Sequence, residues 1–169
     1  MTMFRRSSGA LVARFTSVDA QVLRQCVAEL AALLSNTLDR DDPAVERLFP
    51  DAYPEDPEDQ AEYRRLTEAD LLAGKLDQAK TVLSDLLESG GQAGGEVRLD
   101  EAGADVWLRA LTDVRLALGT RLGVHDDTDI QSELDDAVLR DPTSTRVGQL
   151  SVYAYLSLLQ ESLVGALTE

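Results

Sequence analysis

One cysteine, one histidine and two lysines are all that 169 residues hold of these three chemically versatile side chains. A lone Cys26 cannot close an internal disulfide, so nothing here asks for an oxidising compartment. A lone His125, flanked by Asp126 and Asp127, has no second imidazole to complete a metal site and no serine or cysteine in a recognisable nucleophile context. The glycines of "SGGQAGG" are not followed by the Lys-Ser/Thr of a phosphate loop, and "DDTDIQSELDD" lacks the aspartate spacing and glycine of a calcium-binding loop. No apolar run is read as reaching the ~18 to 20 residues that cross a bilayer. The start, "MTMFRRSSGALVARF", places arginines before a short apolar stretch, but Arg14 interrupts it and no small-residue cleavage pattern follows. Together these absences predict a non-enzymatic protein with no cofactor and no metal, cytoplasmic and not membrane-bound.

What the chain has in excess is acid. Its formal net charge is -15, with the carboxylates spread through "DRDD", "PEDPEDQAE", "DEAGAD" and "HDDTDIQSELDD". DNA carries one phosphate charge per ~1.7 Å of duplex and is bound through basic faces, so direct nucleic-acid binding is disfavoured, as is docking on anionic lipid. Only Arg5, Arg6 and Arg14 make a locally basic stretch. A basic protein partner is compatible with the charge, and most of the acids serve solubility. Fourteen of the sixteen basic residues are arginine, a bias typical of GC-rich genomes.

Periodicity predicts a mainly α, single-domain helical bundle over 1–169 with a small N-terminal antiparallel β-sheet. Strands are expected at about 3–15, turning at "SSG", and at 96–99. Helices are expected at about 17–36, 56–88, 100–122, 127–139 and 144–167, with a short turn begun by Pro43. The first helix starts at Thr16 or Ser17 and buries Val22, Leu23, Cys26, Val27, Leu30, Leu33 and Leu34. The second is expected to present Leu66, Ala69, Leu72, Leu76, Leu83 and Leu87, and "TEAD" at Thr67 to Asp70 resembles a capping box that could break it in two. "SGGQAGG" reads as a flexible stop. The last helix, apolar on nearly all sides, is expected to lie at the centre of the bundle.

The segment "WLRALTDVRLALGTRLG" poses the sharpest chemical question. On a wheel of ~100° per residue, Leu111, Val114, Leu118 and Leu122 cluster around Trp107, and Arg109 faces away. Arg115 and Arg121 emerge on the two borders of that buried face. An arginine cannot shed its proton, and an unpaired buried charge costs several kcal/mol, so each guanidinium must snorkel or find an acceptor. Glu62 and Arg65 on the preceding helix and Asp113 on the same helix are candidate members of a partly buried Arg–carboxylate network. The alternative is that Arg115 and Arg121 bind an external anion. Cys26, inside an apolar stripe, reads as packing, and Tyr153 and Tyr155 as core and boundary residues.

The blocks "FPDAYPED", "AEYRRLTEADLLAGKL" and "WLRALTDVRLALGTRLGV" together resemble an actinobacterial domain-of-unknown-function family over essentially the whole chain. Members are often encoded beside the ClpS protease adaptor, and the AosR-like group comprises oxidative-stress regulators that work with an alternative sigma factor and respond through a Cys-x-x-x-Cys pair. The sequence departs from that last pattern: Cys26 stands in "QVLRQCVAEL" with no second cysteine. What the resemblance implies is therefore a regulatory or adaptor protein acting through protein contacts, with a sigma factor or another basic protein as partner. The competing readings are an anion- or small-ligand-binding module built on the arginine cluster and a DNA-binding regulator relying on the N-terminal arginines. The sequence leaves a homodimer open.

Overall fold

The computed structural model describes residues 2–169; Met1, the first residue of the expected domain, lies outside them. The described residues are mostly helical, with six α-helices and a three-stranded antiparallel sheet among them. Strands β1 (Arg5–Ser7) and β2 (Ala10–Phe15) form a hairpin, and β3 (Gly95–Leu99) pairs on the other side of β2. The turn is the two-residue loop Ser8–Gly9, with φ of 51° and 78°. Positive φ at both positions is what lets a tight turn follow the twist of its strands, and glycine takes it without penalty. Leu11, Ala13 and Phe15 point inward from β2, while Arg5 and Arg98 flank Val12 across the outer face.

Helix α1 (Ser17–Ser35) begins at Thr16, whose hydroxyl accepts from the Asp19 amide at 3.1 Å. Its buried line is Ala20, Leu23, Val27, Leu30 and Leu34, with Cys26 half-buried at the side. Helix α2 (Pro43–Leu48) is short, capped by Asp42, and starts on proline, which needs no amide donor there.

Helix α3 (Pro57–Glu88) is one continuous helix of 32 residues. Thr67 neither caps nor breaks it: its hydroxyl donates to the Tyr63 carbonyl one turn back, at 2.7 Å. The cap is Asp56, which accepts from the Glu58 and Asp59 amides ahead of Pro57. The expected apolar stripe is partly displaced. Leu66 and Leu87 are 61% and 65% exposed, Ala69 is also exposed, and the buried apolar positions are Ala79, Val82 and Leu86. Leu72, Leu76 and Leu83 remain packed against the core.

The glycine segment after α3 is a tight connection, not a loose stop. A 3-10 turn at Gly91–Ala93 leads directly into β3. A Cβ on Gly95 would collide with the Ser89 carbonyl, so only glycine lets the chain reverse this closely.

Helices α4 (Glu101–Leu122), α5 (Ile130–Arg140) and α6 (Thr145–Thr168) complete the chain. Asp100, Asp129 and Ser144 cap them, each accepting a backbone N–H three residues on. Gly123 ends α4 in the left-handed region at φ 72°.

The central element is α4, not α6. Helix α4 packs against α1, α2, α3, α6 and strands β2 and β3. Its Trp107 is fully buried and meets Phe4 and Phe15 with ring centroids 5.6 and 6.0 Å away. Helix α6 is apolar and long enough that composition and length alone would allow a membrane span, with mean hydropathy 1.2 over 18 residues, contrary to the expectation that no segment qualifies. In the fold it lies along α4, α5 and the first two strands, burying Leu150, Leu156, Leu159 and Leu163 and leaving Leu158 and Val164 exposed.

Candidate functional site

The structure distributes the five candidate network residues over four separate places. Glu62 and Arg65 bond to each other in the exposed first half of α3, at 2.6 and 3.0 Å. That pair lowers the Glu62 pKa and raises the Arg65 pKa, through the hydrogen bonds they share. Neither residue reaches α4. Arg121 is exposed and unpaired among the described residues, beside the shallow crevice that holds Cys26 and Glu29. Its place on the far border of the buried face lets the side chain reach water, as snorkelling requires.

Asp113 is buried, with a side chain only 6% exposed, and its cation is a lysine, not one of the candidate arginines. Lys75 of α3 donates to its Oδ1 at 2.8 Å, and the same ammonium stands 6.0 Å from the Phe49 ring. Burial raises the Asp113 pKa above the ordinary carboxylate value, against the opposing effect of Lys75. A second polar tie between the same helices runs from Trp107 Nε1 to Asp85 Oδ2, at 2.7 Å. An ionic link between α3 and α4 thus exists, but it is built from Lys75–Asp113 and not from arginine.

Helix α3 uses its arginines at the other end. Arg64 pairs with Asp51 at 2.5 Å and Glu68 pairs with Arg40, so "EYRRLTEAD" is tied to the loops around α2. The buried Gln60 accepts the Tyr53 amide at 2.8 Å, and Tyr53 meets Tyr63 edge-on. The block "FPDAYPED" is therefore fastened onto α3.

Arg115 is the arginine that the fold holds in place without neutralising it. Its Nη1 donates to Gln160 Oε1 of α6 at 2.6 Å, and its Cζ lies 5.4 Å from the centre of the Tyr153 ring. Gln160 is itself fixed, donating through Nε2 to the Leu108 carbonyl and to Thr112 Oγ1. No carboxylate forms a salt bridge with Arg115 among the described residues, and its buried Nε meets no acceptor. The network expected between Arg115 and the acids of α3 is absent because Gln160 and Tyr153 reach the guanidinium from the opposite side. Arg115 opens on a polar cleft of about 450 Å3 between α4, α6 and the segment leading to α5, whose lining includes Arg47, His125 and Glu161.

The remaining charged features are simpler. Arg5, Arg14 and Arg98 lie exposed on the outer face of the sheet, where Glu96 neighbours both Arg14 and Arg98, and Arg6 folds onto the Ala166 and Leu167 carbonyls at the end of α6. Burial, then the charge of Glu29, push the Cys26 thiol up to about 11, which keeps it protonated at neutral pH. Among the described residues, no group of three or more His, Cys, Asp or Glu is gathered closely enough to hold a metal ion.

The profile of the domain of unknown function DUF2017 matches residues 1–167. The chain belongs to the DUF2017 family. Among relatives of this chain, the AosR protein of Mycobacterium leprae (strain TN), named for oxidative stress regulation, is 33% identical over 138 residues, which is 75% of this chain and 59% of that protein. The oxidative stress regulators AosR of Mycobacterium tuberculosis (strain ATCC 25618 / H37Rv) and Mycobacterium bovis (strain ATCC BAA-935 / AF2122/97) are each 25% identical over 181 residues, covering 96% of this chain and 75% of theirs. This DUF2017 chain therefore spans about 59% of the length of the first of these relatives. No solved structure matches it. These relatives are named as oxidative stress regulators rather than as enzymes.

Proposed function

We propose that this DUF2017 protein is a cytoplasmic, non-enzymatic regulator of the stress response that works by contacting another protein, with a basic region of a sigma factor as the first partner to test. The observation that carries the reading is the similarity to AosR oxidative stress regulators over most of the chain. Electrostatics supports the mode of action. A net charge of -15 favours encounter with a basic surface and opposes approach to a nucleic-acid backbone.

Redox sensing by an internal disulfide is not part of the proposal. Cys26 has no second cysteine, and its protonated, half-buried thiol is a poor nucleophile. The test is affinity capture from native cytoplasm by the tagged full chain, followed by reconstitution with the purified partner at two salt concentrations. A one-to-one complex with a basic protein, weakened several-fold between about 50 and 300 mM salt, is expected. Capture of no partner, or tight salt-dependent binding to duplex DNA by the chain alone, would overturn the reading.

A further inference from the structure

The cleft beside Arg115 carries charges of both signs that are not paired with one another. Arg115 and Arg47 have no carboxylate partner among the described residues, and Glu161 has no cation. An arginine whose role was to fix helix orientation would have its charge met within the protein. Here Gln160 supplies one acceptor oxygen, and the Tyr153 ring supplies a cation–π face. Those contacts hold the guanidinium still and leave part of its fork open. A fork of that kind is matched to the two oxygens of a carboxylate.

The rest of the lining specifies what the anionic group is attached to. The hydroxyls of Thr120 and Ser157 donate to carbonyls one turn back on their own helices, to Leu116 at 2.7 Å and Tyr153 at 2.9 Å. Their remaining capacity in the cleft is as acceptors, like Glu161. The cleft thus sets the held guanidinium of Arg115 and the exposed one of Arg47 against acceptor oxygens and two carboxylates, Glu161 and Asp126. A dianion would meet Glu161, Asp126 and the overall charge of -15, whereas a molecule with no net charge escapes that repulsion. The cavity, at about 450 Å3, lies in the range of small-molecule sites.

We propose that this cleft binds a small zwitterion of the α-amino-acid kind, with its carboxylate on Arg115 and Arg47 and its ammonium at Glu161. Arg121, the other arginine on the border of the α4 core, takes no part. The site does not depend on the regulatory role, so failure of either leaves the other standing.

The probes are the twenty L-amino acids one at a time, inorganic phosphate, acetate and ethylamine, each added to the full chain and followed by thermal unfolding and calorimetry. At least one amino acid is expected to raise the melting temperature by roughly 3–5 °C at tenfold its Kd, with smaller effects from acetate and ethylamine. Arg115→Met and Glu161→Gln should each weaken that binding tenfold or more, and Arg121→Met should leave it unchanged. Arg47→Gln, on the exposed side of α2, is the second arginine variant should Arg115→Met lose its fold, and it too should weaken binding. No response to any amino acid overturns the proposal. So does a response to phosphate equal to that of the best amino acid and indifferent to Glu161→Gln, which describes a plain anion site.

Discussion

Lys75 and Asp113 meet where α3 crosses α4, and the two ends of the pair are unequally buried: 20% of the lysine side chain is exposed against 6% of the aspartate. Removing the lysine therefore strands a carboxylate in the interior. Lys75→Met is expected to destabilise the fold by about 2–3 kcal/mol, near the lower end for breaking a buried pair because the ammonium keeps some solvent. Replacing both partners, Lys75→Met with Asp113→Leu, should recover most of that loss, a coupling that denaturant titration of the four proteins measures. The same burial raises the Asp113 pKa in the folded state above 3.8, so the native chain holds that proton more tightly than the unfolded one. Its contribution is fully present below the unfolded value and is lost as pH rises through the folded one. Relative to Asp113→Asn, the wild type should lose stability as pH climbs from about 3.8 through that raised value, and a falling carboxylate pKa would give the reverse slope. Asp85 sets a third case. It accepts from the fully buried Trp107, so Asp85→Ala should cost about 2 kcal/mol and alter the emission of the only tryptophan.

Single elements were far more legible in the sequence than their partners. The hairpin, β3 and all the long helices stand close to the expected bounds, because caps such as Thr16, Asp56 and Ser144 and stops such as Gly123 act through nearest neighbours. The errors arose where a side chain had two readings. Thr67 has the residue type of a cap, yet inside a helix its hydroxyl satisfies itself on the Tyr63 carbonyl and the helix continues. The placing of α6 at the centre assumed that apolarity equals burial, whereas Trp107 and the small residues Ala104, Ala110 and Ala117 give α4 the face that neighbouring elements can approach closely. At the candidate site, the wheel placed Arg115 at the core border, but no pattern within one helix could show that Gln160 would reach it, 45 residues away. Gly119 tests how closely α4 and α6 need to meet. A Cβ there would stand 3.1 Å from the Tyr153 ring, within the contact that steadies Arg115. Gly119→Val should destabilise by about 1–3 kcal/mol through overpacking, even though valine replaces glycine inside a helix.

Over the whole molecule, charge is unevenly placed. Three exposed arginines share the outer face of the sheet with Glu96, whereas "DRDD", "PEDPED" and the α4–α5 segment carry acids in runs. Ion pairs such as Arg64–Asp51 and Arg146–Glu133 absorb part of that excess locally. They cannot absorb a surplus of 15, so the folded chain keeps a standing self-repulsion that unfolding relieves by spreading the carboxylates apart. Salt shortens the reach of that repulsion from about 30 Å at 0.01 M to about 8 Å at 0.15 M. The melting temperature should therefore rise as sodium chloride increases from about 10 to 300 mM. Loss of the exposed pairs in the same range opposes this only weakly, since each is worth under about 1 kcal/mol. The sign separates the two effects: a melting temperature that fell with added salt would mean that specific surface pairs, rather than the diffuse negative field, dominate the electrostatics of the fold.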